Sequence, residues 1–160
     1  MEKVIIILDG VSEGKTTFIN TIKKSNYWCW NINASNFLSM IAYKLGFNGE
    51  RNKQYFDFIK EFEALANRYW DFENNYIENL IQKFLSKPKV MVLLVHNCKQ
   101  EFSKKLQEKY ENCFNILIKD NEDTNENYCK ILNCNDENFE KNILTTMRIL
   151  TKDIGESENL

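Results

Sequence analysis

Two hydrophobic periods alternate along the chain. Short continuous apolar runs, Val4 to Leu8 and Val90 to Val95 above all, have the length and β-branched content of strands buried on both faces. With them, Lys3–Asp9, Trp28–Ile32, Val90–Val95, Phe114–Ile118 and Tyr128–Leu132 are expected as the strands. Between them the period lengthens to that of a helix. Phe18, Ile19 and Ile22 mark one from Lys15 to Lys24, after a turn at Gly10–Gly14. Phe37, Leu38, Ile41 and Leu45 mark the next, with Ser35 as its N-cap and Gly46 as its stop. Beyond a turn at Asn48-Gly49 come Tyr55, Phe56, Ile59, Phe62 and Leu65, then Tyr76, Ile77, Leu80, Ile81, Phe84 and Leu85, closed by Pro88. Glu101–Tyr110 is a further helix, Asp120–Asn127 a polar loop, and the last helix starts near Asp136 with Phe139, Ile143, Leu144, Met147 and Leu150 on its inner face.

Strands alternating with helices predict an α/β fold of three α/β/α layers on a mostly parallel five-stranded sheet, with ligands at the carboxyl ends of the strands. A chain of 160 residues without repeats or linkers is expected to form one domain, residues 1–154, with a frayed tail at 155–160. Composition narrows the partners. With 21 basic residues spread among 23 acidic ones, no stretch offers a polyphosphate track, so duplex nucleic acid is not expected. No apolar run approaches the roughly 20 residues that span a bilayer, and a soluble, cytoplasmic protein without membrane contact is expected. Five cysteines without a C-x-x-C pair argue against a disulfide framework, and a single histidine, His96, argues against a zinc site.

The chemistry concentrates in Asp9-Gly10-Val11-Ser12-Glu13-Gly14-Lys15-Thr16-Thr17, between the first strand and its helix. Strand, glycine-bounded turn and helix is the setting of a P-loop, G-x-x-x-x-G-K-[ST], which cradles the phosphates of a nucleoside triphosphate. Either the loop is one residue short or Asp9 takes the first glycine's place. In both cases Gly14 would turn backbone N–H groups toward phosphate, with Gly10, Ser12, Glu13 and Thr17 completing the cradle. Lys15 would reach the β- and γ-phosphates, and the Thr16 hydroxyl would ligate Mg²⁺. Glu13 opposes an anion unless its side chain turns outward.

This segment resembles the thymidylate-kinase type of P-loop with one residue removed. A longer stretch is similar to the deoxynucleoside monophosphate kinases of phages: Ala42-Tyr43-Lys44-Leu45-Gly46-Phe47-Asn48-Gly49, the charged helix from Glu50 to Arg68, and Ile131-Leu132-Asn133 followed by Asn135-Asp136-Glu137-Asn138-Phe139. The resemblance implies a nucleoside monophosphate kinase-like fold and transfer of the γ-phosphoryl group of ATP, with Mg²⁺, to a nucleoside monophosphate. It places the acceptor in the helical segment between the second and third strands, where Arg51 and Arg68 are candidate phosphate ligands.

Departures from that family bear on turnover. After the third strand the family places Asp and Arg, whereas this chain has His96-Asn97-Cys98-Lys99. His96 could hydrogen-bond a phosphate or water there, and Asp9 or Asp120 could supply the missing acid. No arginine occurs in the loop Asp120–Asn127, where the family's lid arginines would lie. Two functions are therefore carried forward: a nucleotide kinase, or a P-loop protein that binds a nucleoside triphosphate for regulation with catalysis reduced or lost. A homodimer stays open.

Overall fold

The computed structural model describes residues 2–33, 36–121 and 127–152. Their elements run β1 (Val4–Gly10), α1 (Ser12–Lys24), β2 (Cys29–Asn33), α2 (Asn36–Lys44), α3 (Lys53–Tyr69), α4 (Phe72–Ser86), β3 (Val92–His96), α5 (Gln100–Lys109), β4 (Cys113–Lys119), β5 (Lys130–Asn133) and α6 (Phe139–Thr151). All five expected strands form, in the order β2-β3-β1-β4-β5, and every pairing is parallel. This is a three-layer α/β/α architecture on an all-parallel sheet.

Strand β1 explains the layering. Its side chains alternate, so Val4, Ile6 and Leu8 join Phe18, Ile22, Ile143 and Met147 beneath α1 and α6, while Ile5 and Ile7 join Ile77, Ile81, Phe102 and Leu106 beneath α4 and α5. Because β3 lies on one side of β1 and β4 on the other, the connections diverge to opposite faces and leave a crevice at the carboxyl ends of β1 and β3. Asp9, Gly10, Asn33, His96 and Lys119 arrive at that edge.

Several element boundaries differ from expectation, and three of them matter for the crevice. The last strand begins at Lys130 rather than Tyr128, and the last helix at Phe139 rather than Asp136, because Asp136 and Asn138 are taken up in a side-chain-bonded turn. The third is consequential: α1 begins at Ser12, so the expected turn Gly10–Gly14 contracts to Val11. Ser35 and most of the expected polar loop, and the tail beyond Lys152, lie outside the described residues.

Candidate functional site

The turn after β1 is tight for a steric reason. Gly10 has φ +113°, and a Cβ there would lie 1.9 Å from the carbonyl oxygen of Ile118, the same oxygen that accepts the Val11 N–H at 3.0 Å. Only glycine lets β1 leave the sheet so close to β4. Gly14 is helical and buried, and a Cβ would meet Ile118 Cγ2 at 2.4 Å. Its bare backbone seats the first turn of α1 on β4, a different task from the phosphate arch expected of it.

Helix formation redirects the amides. The Lys15 N–H donates to the Val11 carbonyl at 3.0 Å, the first bond within α1. The N–H groups of Ser12, Glu13 and Gly14 precede it and have no partner within the helix. Val11, at the N-cap position, provides no side-chain cap for them. Together with the helix dipole they make this end of α1 electropositive, the kind of end that can receive an anion. The Glu13 side chain is exposed at this end. Thr16 and Thr17 donate their hydroxyls back to the carbonyls of Ser12 and Glu13, each at 3.1 Å. Such a hydroxyl keeps lone pairs for a cation or a water.

Lys15 reaches across the sheet edge. Its Nζ donates to Asn97 Oδ1 at 3.0 Å, and Asn97 Nδ2 donates to Asn33 Oδ1 at 2.8 Å. One polar chain thus joins α1 to the ends of β3 and β2. Asn97 has φ +60°, a left-handed conformation that asparagine tolerates better than most residues.

His96 shares the alternation of Val92 and Leu94, which puts it on the α1 face of the sheet, near Lys15. Its Nε2 is buried without a hydrogen-bond partner. Burial, reinforced by the Lys15 charge, lowers its pKa below the usual 6.5. A neutral imidazole can still donate or accept a hydrogen bond, so a water or phosphate oxygen that reached this nitrogen would satisfy it.

Asp9 shares the alternation of Ile5 and Ile7, which turns it to the α5 face. Tyr128 donates its hydroxyl to Asp9 Oδ2 at 3.2 Å, and both line a small cavity of about 80 Å³ with Gln100, Ser103 and Asn115. Burial raises the Asp9 pKa against the lowering effects of Tyr128 and Lys15. Cys98, close by, is pushed up to about 12 by burial and the charges of Asp9 and Glu73, so it stays a thiol.

A second concavity of about 330 Å³ adjoins the end of β3, lined by Asn67, Arg68, Trp70, Glu73 and Lys99 among others. Lys99 bridges Glu73 at 3.1 Å and Glu63 at 3.8 Å. The hydrogen bond to Glu73 raises the Lys99 pKa and leaves this buried carboxylate compensated. Arg68 is exposed on the rim. Arg51 is exposed before α3, its guanidinium 5.7 Å above the Tyr55 ring, and does not line this cleft.

Lys15, Thr16, Thr17 and His96 therefore lie on the α1 side of one sheet edge, Asp9 on the α5 side of the same edge, Arg68 borders the adjoining cleft, and Arg51 stands apart. Asn97, Asn33 and Tyr128 were missing from the sequence-derived set. Asn33 and Asn97 lie at and just beyond the carboxyl ends of β2 and β3, whereas Tyr128 lies before the amino end of β5. A Mg²⁺ ion would fit the Thr16 hydroxyl as one oxygen ligand. Among the described residues no group of three or more His, Cys, Asp or Glu is assembled to hold a metal, so phosphate oxygens and waters would supply the other ligands.

No protein-family model matches the sequence, and a search among characterised proteins finds no match. Solved structures to which the chain is similar include a cysteine-to-alanine mutant of the Mycobacterium tuberculosis APS kinase, with TM-score 0.48 and 9% identity over 93% of this chain and 97% of that one. A de novo designed protein of P-loop NTPase fold has TM-score 0.44 and 15% identity over 98% of this chain and 96% of that one.

Proposed function

We propose that this chain binds a nucleoside triphosphate, ATP with Mg²⁺, at the amino end of α1 and passes its γ-phosphoryl group to a nucleoside monophosphate in the cleft beside Lys99. The observation that carries the reading is the Lys15 ammonium, already stretched over the crevice between β1 and β3 to Asn97. A cation there meets β- and γ-phosphates whose oxygens also face the free amides of Ser12, Glu13 and Gly14. Thr16 offers its oxygen to the metal. Binding would move Lys15 from an amide oxygen to a phosphate, a stronger charge-assisted partner. On the acceptor side, Arg68 and Lys99 flank the cleft, and an acceptor phosphate oxygen would attack the γ-phosphorus as the bond to the β-phosphate oxygen breaks. His96 lies where a phosphate oxygen or water could take its free nitrogen.

A second reading is that nucleotide binds without turnover. The helical conformation of residues 12–14 favours it, because an arch that surrounds the β-phosphate is absent, as does the turning of Asp9 to the opposite face.

Thermal unfolding and calorimetry test both. Saturating MgATP at 100 Kd should stabilise the protein by about 2.7 kcal/mol, and Lys15→Ala should weaken binding at least tenfold. Asn97→Ala should tighten binding, since Lys15 no longer has to leave a partner. If ATP gives no shift in the wild type, the nucleotide site is refuted. Production of ADP and a nucleoside diphosphate from a panel of monophosphates, absent in Lys15→Ala, separates the kinase from the binding protein.

A further inference from the structure

Helix α3 is the least embedded helix of its length. Of its 17 residues only Tyr55 and Ala66 are buried, yet it carries Phe58, Phe62, Leu65 and Tyr69. Phe58 is 40% exposed, Leu65 50% and Tyr69 70%, while Phe62 is half-buried. At about 100° per residue these four positions fall within a sector of roughly 60°, so they form one stripe along the helix. A stripe of this kind is left uncovered only at a cost, and it marks an interaction face.

The spacing identifies the occupant. Steps of four, three and four residues are the same read from either end, so an antiparallel copy of α3 would set Phe58 against Tyr69 and Phe62 against Leu65 about a two-fold axis between Glu63 and Ala64. On one flank of the stripe lie Asp57, Glu61 and Arg68, all exposed. A two-fold axis brings this flank to the same flank of the copy. With a rise of about 1.5 Å per residue, the partner's Arg68 then falls between Asp57 and Glu61, about 3 Å along the axis from each. The arrangement is reciprocal, so each guanidinium meets two carboxylates of the other chain. Asp57 already lies 3.4 Å from Lys53, an exposed pair that leaves a second oxygen for this contact.

We propose that the chain forms a symmetric dimer through α3, packed antiparallel on its copy, with Phe58, Phe62, Leu65 and Tyr69 at the centre and Arg68 clasped by Asp57 and Glu61 of the second chain. The self-complementary stripe and the reciprocal charges select a second copy over an unrelated partner. Mixed charges along the flank also disfavour a lipid surface. Arg68 has five N–H donors, so a guanidinium held by the partner's carboxylates keeps donors for the cleft it borders. Arg68 and Tyr69 also line the cleft beside Lys99, but association through α3 needs no bound nucleotide and is read by sedimentation rather than by ATP binding or turnover.

Analytical ultracentrifugation of the full chain from 1 to 100 µM tests it. The wild type should sediment at twice the 19.1 kDa of one chain. Leu65→Glu should give a monomer with unchanged circular dichroism, the replaced side chain being half-exposed. Arg68→Glu should raise the dimer dissociation constant at least tenfold. The triple exchange Asp57→Arg, Glu61→Arg, Arg68→Glu should bring it back to within about threefold of wild type. A wild type that stays monomeric at 100 µM, or a dimer unaffected by Leu65→Glu, overturns the proposal. Failure of the triple exchange to restore association overturns the antiparallel register.

Discussion

His96 shows how much one side chain can report. It is the only histidine, its Nε2 lacks a partner, and burial with the Lys15 charge keeps its pKa below 6.5. The unfolded chain therefore binds a proton on His96 that the folded chain refuses. By linkage, this residue's contribution falls as pH drops through 6.5 toward the folded-state pKa, and is constant above 6.5. Thermal unfolding from pH 7.5 to 5.5 should show the wild type losing more stability than His96→Gln. An equal loss in both would mean that the imidazole titrates as it does in water. Bound phosphate should raise this pKa and narrow the difference, which ties the titration to occupancy of the site.

At the scale of elements, the segment from β1 to α1 depends on Gly10. Its positive φ alone costs a non-glycine residue about 1–3 kcal/mol, and a Cβ 1.9 Å from a backbone oxygen cannot be relieved by a rotamer change. Gly10→Ala should lose at least about 3 kcal/mol in urea unfolding, or fail to fold. The existence of this unit was legible in the sequence, because five β-branched or aliphatic residues ending in Asp-Gly can hardly be anything but a buried strand and its exit. The start of α1 was not legible. Gly14 was read for its φ freedom and its motif position, whereas its place is decided by contact with Ile118, more than 100 residues away. Asn97 escaped for a similar reason, since nothing local distinguishes it from any other asparagine until β3 lies beside β1. Strand positions were clearer than their polar ends, where Tyr128 was counted into β5 although its hydroxyl is engaged with Asp9. The helices between β2 and β3 were found by their period, but that period could not say that α3 would bury so little of it.

Across the whole molecule, β1 belongs to both cores. Val4, Ile6 and Leu8 complete one and Ile5 and Ile7 the other, none more than 3% exposed, and the strand pairs with β3 and β4 along its length. No fragment of the protein can open there without dismantling both layers of helices. Its amides should therefore exchange with deuterium only through global unfolding, at rates that track the denaturant dependence of the entire domain, while those of α3 exchange through local fluctuations in the monomer. Exchange in β1 that is insensitive to denaturant would contradict this division. The glycine turn grows out of this doubly buried strand, so the position of Gly10 is held as long as the molecule is folded at all. An evolving chain can alter the groups around that turn freely, but the turn itself is anchored to the part of the protein that has no independent way to relax.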